Sequence, residues 1–255
     1  MCRILAIAGD MPEPKTLRVL REFRKLADCG CVPPGYPAGH KDGWGMASYR
    51  KGKLATYVRR VRDAAADPSY PATIRRATAG RPEVLIMHFR KASVGGNRLF
   101  NTHPFARGRF TFCHNGAIHH SARIPLSPAA RKRVKGTTDS ELLFQYLLSR
   151  IPKTATSTEV TAAIKDSVKL ARKLGYTALN CFLTDGRRLW ALREVNPRNP
   201  FVRRGNLLRK YYTLFIGKTA GPGRGVIISS EKLSVPGIRW RAFRNHELVI
   251  IEEKY

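Results

Sequence analysis

Met1-Cys2-Arg3-Ile4-Leu5-Ala6-Ile7-Ala8-Gly9 opens the chain. The apolar run Ile4–Ala8, closed by a glycine, reads as a strand. It is too short and too soon interrupted for a secretory signal. The chemical interest lies in Cys2. An initiator methionine before a small residue is commonly removed, which makes Cys2 the mature terminus and places a thiol and an α-amine in one residue. Their reference pKa values, about 8.5 and about 7.7–8.0, lie near neutrality. There the amine can take the thiol proton, directly or through a water, and later return one to a leaving group. At the head of a strand the pair is held on a rigid edge.

Further strand-like runs follow at Gly45–Tyr49, Leu54–Val58, Val84–His88, Phe110–Cys113, Leu179–Leu183, Leu189–Leu192, Tyr212–Ile216, Val226–Ile228 and Leu248–Ile251. Asp185-Gly186 predicts a hairpin, and Arg50-Lys51-Gly52-Lys53 a second. Three helices are expected. In Lys15–Asp28, Leu17, Leu20, Phe23, Leu26 and Ala27 share one face. Thr138 with Glu141, and Thr156 with Glu159, have capping-box spacing, and Gly175 ends the last helix. Cys31–His40, with three prolines and two glycines, predicts a loop. Many strands with tight turns and few helices argue for antiparallel sheets covered by helices on their outer faces. No repeat or linker divides the chain, so residues 1–255 are read as one domain.

A chain of 255 residues that is 43% hydrophobic and 25% charged is globular rather than disordered. No apolar run approaches the ~20 residues of a membrane span. The five cysteines (Cys2, Cys29, Cys31, Cys113, Cys181) are odd in number and irregularly spaced, which predicts reduced thiols and a cytoplasmic setting. Cys29 and Cys31 lack a second pair at zinc-ligand spacing, and no metal is expected. The net charge is +29, and between Glu83 and Asp139 ten basic residues occur with no acid. Such an excess is compatible with nucleic acid or another polyanion as partner, although no nucleic-acid-binding motif accompanies it.

Six short stretches carry the chemistry. They are Met1-Cys2-Arg3, His40-Lys41-Asp42-Gly43-Trp44-Gly45, His88-Phe89-Arg90-Lys91-Ala92-Ser93, Asn101-Thr102-His103-Pro104-Phe105, His114-Asn115-Gly116 and Gly136-Thr137-Thr138-Asp139-Ser140-Glu141. Acyl transfer from an amide builds negative charge on the carbonyl oxygen. The Asn115 amide and the Gly116 backbone N–H are suitable donors to it if a turn after Phe110–Cys113 aims both at one point; by itself, Asn-Gly is also a plain turn. Arg90 can fork onto a carboxylate, Ser93 can add a hydroxyl, and Asp139 can hold an ammonium group or compensate a helix dipole.

In this order, and opened by Met-Cys, the six stretches resemble the class II glutamine amidotransferases, a family of N-terminal-nucleophile hydrolases. The closest resemblance is to the stand-alone, single-domain glutaminase-type branch. It implies an α+β fold, a four-layer αββα sandwich of two antiparallel sheets flanked by helices. It also implies hydrolysis of the glutamine side-chain amide without cofactor. Cys2 would be the nucleophile, Asn115 and Gly116 the oxyanion hole, Arg90 the α-carboxylate partner with Ser93 nearby, and Asp139 the α-ammonium partner. His40, Asp42 and Trp44 are expected in a loop that orders or closes the pocket, and His88, His103 and His114 as structural neighbours. Synthase-fused relatives use the released ammonia in a second domain. No synthase is recognisable here, so the ammonia would pass to a separate synthase subunit, or water would be the acceptor and another γ-glutamyl compound the substrate. The remaining alternative is a non-catalytic, nucleic-acid-binding scaffold.

Overall fold

The computed structural model describes residues 2–93, 95–219 and 225–252. Met1 lies outside them. The strands, in chain order, are β1 (Arg3–Gly9), β2 (Trp44–Arg50), β3 (Lys53–Arg60), β4 (Val84–Phe89), β5 (Phe105–Arg107), β6 (Phe110–Ile118), β7 (Tyr176–Thr184), β8 (Arg188–Arg193), β9 (Phe215–Thr219), β10 (Gly225–Ser229), β11 (Ile238–Ala242) and β12 (Glu247–Glu252). They form a seven-stranded sheet, β11-β9-β10-β1-β4-β2-β3, and a five-stranded sheet, β12-β8-β7-β6-β5. Every pairing is antiparallel. Four principal helices flank them: α1 (Glu13–Cys29), α2 (Tyr70–Thr78), α3 (Asp139–Ser149) and α4 (Ser157–Leu174).

Strand alternation sorts the apolar side chains into layers. On β1, Leu5 and Ile7 join Phe23 of α1 and Tyr70 of α2 in a core on the outer face of the larger sheet. Ile4, Ala6 and Ala8 point the other way and meet Phe182 and Ala191 of the smaller sheet. The smaller sheet's outer face packs Phe112 and Leu183 against Phe144 of α3 and Ile164 of α4. The result is the expected four-layer αββα sandwich, with β1 central in its sheet and buried on both faces. None of the described helices is long and apolar enough to cross a membrane.

Local expectations hold with exceptions. Thr156 and Glu159 form a full capping box, and Gly175 closes α4 at φ +79°. At Thr138 only half the box forms. The Thr138 side chain accepts from Glu141 N, but the Glu141 carboxylate takes Lys135 N and Gly136 N of the approaching loop. Lys51 and Gly52, both at positive φ, turn β2 into β3, as Asp185-Gly186 turns β7 into β8. The expected strand at Tyr212–Ile216 begins instead at Phe215, because Tyr211 and Tyr212 are drawn into a side cluster with Val195 and Val202.

Candidate active site

Cys2 continues the side of β1 that faces the second sheet, two residues ahead of Ile4. The β1–β4 ladder pairs Arg3 with Phe89 and Ile4 with His88. One further step in the same register sets Cys2 beside Arg90. Neighbouring contacts pin the strand head. The Cys2 nitrogen donates to Asn115 Oδ1 at 3.0 Å, and the Tyr211 hydroxyl donates to the Cys2 carbonyl at 3.3 Å. Arg3, fully buried, pairs with Glu231 at 3.0 Å, lies 4.1 Å over the Tyr211 ring and donates to the Cys31 carbonyl. The Ser230 hydroxyl accepts from Ile4 N at 3.1 Å. Together they hold the thiol at a fixed place between the sheets.

Asn115 comes from β6 of the opposite sheet. The sequence leaves Asn-Gly open as a turn after Phe110–Cys113. The ladder with β7 instead runs on, pairing Asn115 with Asn180 and Gly116 with Leu179, and shifts register only before Ile118. Asn115 is therefore a strand residue with its side chain between the sheets, fully buried. Its Oδ1 is taken by Cys2 N, while its Nδ2 has no hydrogen-bond partner among the described residues. A buried amide donor without a partner costs on the order of 1–3 kcal/mol, and this one belongs to the side chain that bonds the Cys2 backbone. At Gly116 a Cβ would lie 1.8 Å from the Ala178 carbonyl oxygen, so the close approach of β7 admits only glycine.

The thiol's charge state follows from its surroundings. Burial raises its pKa, but the amino-terminal positive charge, His88 and backbone contact with Lys91 outweigh burial and bring it down to about 5. These surroundings favour the thiolate over the thiol. His88 is fully buried, stacks on His103 with ring centroids 4.2 Å apart, and has no hydrogen-bond partner at either ring nitrogen among the described residues. Its influence on Cys2 was not legible in the sequence, because it depends on the β1–β4 register. Burial lowers the pKa of His114, whose Nε2–H donates to Ala178 O at 3.1 Å and whose Nδ1 accepts from the Ser140 hydroxyl at 2.8 Å. It ties β6 to the start of α3.

Arg90 is 3% exposed, and Asn97 Oδ1 accepts from its Nη1 at 3.1 Å. Burial lowers its pKa, and Cys2 and Asp42 oppose that shift; Asp42 N donates to the Arg90 carbonyl at 3.0 Å. Asp42 orders the loop after Arg90: its carboxylate accepts from Ala92 N at 2.8 Å and Asn97 Nδ2 at 3.1 Å. Ser93 lies exposed on the same loop. Asp139 heads α3, and its Oδ2 accepts from Ile118 N at 2.7 Å. Ile118 is three residues beyond Asn115 along β6, about 10 Å at the usual rise per residue. His40 is buried behind the strand head, bonded through Nδ1 to Leu26 O at 3.2 Å, and burial and Arg3 push its pKa down to about 2. Trp44 is not brought to the site. It faces α1 and α2 in the outer core, with Nε1 donating to Asp67 Oδ2 at 2.9 Å. Its place on β2, rather than in a loop, fixes that direction.

A cysteine heading a central strand of an αββα sandwich, opposite a buried amide donor, defines the class: this is the N-terminal-nucleophile hydrolase architecture. The chain belongs to the class II glutamine amidotransferases, whose family model matches residues 1–253, and it is an enzyme of that family. It is 28% identical over 228 residues to the uncharacterized protein MJ1515 of Methanocaldococcus jannaschii, covering 84% of this chain; the chain spans 61% of that relative's length. It is 29% identical over 273 residues to YafJ of Escherichia coli K12, named as a candidate glutamine amidotransferase, covering 98% of this chain and 100% of YafJ. Among solved structures, a glutamine aminotransferase class-II domain protein (SPO2029) from Silicibacter pomeroyi shares its fold, with a TM-score of 0.61, 21% identity, and coverage of 98% of this chain and 95% of that one.

Proposed function

We propose that the protein hydrolyses the side-chain amide of glutamine through Cys2, once Met1 is removed, and delivers the ammonia to a separate synthase subunit. The observation that carries this reading is the unpartnered, buried Asn115 Nδ2, on the side chain that bonds the Cys2 backbone, together with a thiol whose pKa is lowered to about 5. That donor finds no acceptor among the described residues, and an oxyanion formed at Cys2 supplies one.

The steps follow from the neighbours of Cys2. The α-carboxylate of glutamine pairs with Arg90, near which Ser93 adds a hydroxyl, and the α-ammonium with Asp139. Asp42 holds the Arg90 loop, and His40 and Trp44 support the strand ends from behind. Cys2 Sγ attacks the δ-carbonyl carbon. The C–S bond forms as the carbonyl π pair moves to oxygen, where Asn115 Nδ2 and Gly116 N–H receive it. The Cys2 ammonium gives a proton to the amide nitrogen, the C–N bond breaks, and ammonia leaves a γ-glutamyl thioester. The now neutral amine takes a proton from water as its oxygen attacks the thioester, and collapse releases glutamate and the thiolate. No cofactor enters these steps. We read residues 1–255 as the single domain that performs them.

Cys2→Ala is expected to abolish ammonia release while glutamine still binds. Wild-type turnover in that variant overturns the mechanism. Parallel assays with glutamine, glutathione and a γ-glutamyl amide identify the preferred leaving group.

A further inference from the structure

The acid-free stretch between Glu83 and Asp139 is only partly used by the glutamine site. Folded, it contributes Phe100, Arg107, Arg133 and Lys135 to a cavity of about 290 Å³, which Tyr57 and Arg59 of β3 complete. Its floor is apolar, made by the buried rings of Phe105 and Phe144. Arg107 Nη1 donates to Gln145 Oε1 at 2.6 Å, and Arg59 Nη1 to Thr102 O at 3.2 Å, so two guanidiniums are held in place. None of the four cations pairs with a carboxylate among the described residues. The acid in the wall, Glu141, has both oxygens committed to backbone N–H groups, at 3.0 Å to Lys135 and 2.6 Å to Gly136. Burial, and then the like charge of Arg133, lower the pKa of Arg107. Four cations against the single carboxylate of Glu141 leave the lining positive, which favours an anion between them. Beside them stand two partly exposed rings, Phe100 at 45% and Tyr57 at 37%, with Lys135 Nζ 5.7 Å from the first and the Arg59 guanidinium 5.5 Å from the second.

We propose that this cavity binds a small aromatic anion of the nucleoside monophosphate class. The base lies against Phe100 and Tyr57, and the phosphate among Arg107, Arg133 and Lys135. The volume is near the ~300 Å³ lower end of ligand pockets, which suits a mononucleotide rather than a polymer. The cavity shares a segment with the glutamine site. Asn101, next to Phe100, accepts from Thr137 N at 2.8 Å, and Asn97 bonds Arg90 and Asp42. A ligand seated on Phe100 therefore bears on the loop that carries Arg90. The proposal does not depend on Cys2 acting as nucleophile.

Isothermal titration of the full chain with AMP and GMP, and separately with adenosine and inorganic phosphate, tests it. Arg133→Ala and Phe100→Ala change exposed side chains and leave the fold intact; Arg18→Ala, on exposed α1 surface, controls for bulk charge. Saturable binding of a monophosphate is expected, weakened about tenfold or more by Arg133→Ala and by Phe100→Ala, and unchanged by Arg18→Ala. The proposal is overturned by no saturable binding, by equal weakening in Arg18→Ala, by phosphate or adenosine alone binding as tightly as the monophosphates, or by a single-stranded oligonucleotide outcompeting them.

Discussion

Asn115→Ala separates the two jobs that the site gives one side chain. The substitution removes Nδ2, the donor assigned to the oxyanion, and Oδ1, the acceptor for Cys2 N at 3.0 Å. Loss of one oxyanion donor costs about 10²–10³ in kcat. Because that contact forms only as charge develops, the KM for glutamine stays close to wild type. Loss of Oδ1 leaves a buried N–H without its acceptor, a penalty on the order of 1–3 kcal/mol. For a chain of this size that is a fall in melting temperature of roughly 2–12 °C. Asn115→Asp keeps an acceptor for Cys2 N but replaces the donor with a carboxylate whose charge also opposes the oxyanion, so its kcat falls at least as far. Ammonia release measured by a coupled dehydrogenase assay gives kcat and KM, and calorimetry gives stability. An Asn115→Ala enzyme with kcat within about threefold of wild type refutes the reasoning, whatever its stability.

Three further expectations follow from other contacts. With the Cys2 pKa lowered to about 5, the thiolate persists above that pH and is lost as acid protonates it. Alkylation by iodoacetamide, followed by mass spectrometry, is then flat through neutrality and falls about tenfold per pH unit below the pKa; a rate climbing steadily toward pH 9 contradicts the assigned charge state. Gly116→Ala forces a Cβ to within 1.8 Å of a backbone oxygen, so calorimetry should find it destabilised by a few kcal/mol, and an unchanged melting temperature would count against the described strand register. Trp44→Phe removes the bond to Asp67 from the outer core; it lowers stability by about 1–2 kcal/mol and leaves the KM for glutamine unchanged, whereas a raised KM with unchanged stability returns Trp44 to the pocket.

Much of the fold is legible because it is written in local patterns. The Thr156/Glu159 box, the Asp185-Gly186 hairpin and the apolar β1 run each carry their signal within a few residues. Elements whose signal is not local escape. β5 has three residues, and β11, Ile-Arg-Trp-Arg-Ala, owes its place to pairing with β9. α2 begins Tyr-Pro and carries Arg75-Arg76, which mutes its apolar face. The site divides the same way. Cys2, Arg90, Asn115 and Asp139 are recognisable as residue types in ordered motifs. That Cys2 stands beside Arg90 follows from the β1–β4 register, which no single sequence states. His88 acts on the thiol for the same reason, and Trp44 faces away from the site because it falls on the helix-facing side of β2. The Asn-Gly pair is ambiguous on its own, and only its ladder with β7 makes it strand rather than turn.

The central claim is tested most directly by incubating the purified enzyme with a chloroketone analogue of glutamine and locating the adduct by peptide mass spectrometry. One adduct per chain is expected, on a Cys2 that has become the first residue, with labelling suppressed by glutamine. An adduct on Cys29 or Cys31 instead, or an unmodified Cys2 still preceded by Met1 in a turning-over enzyme, contradicts the account.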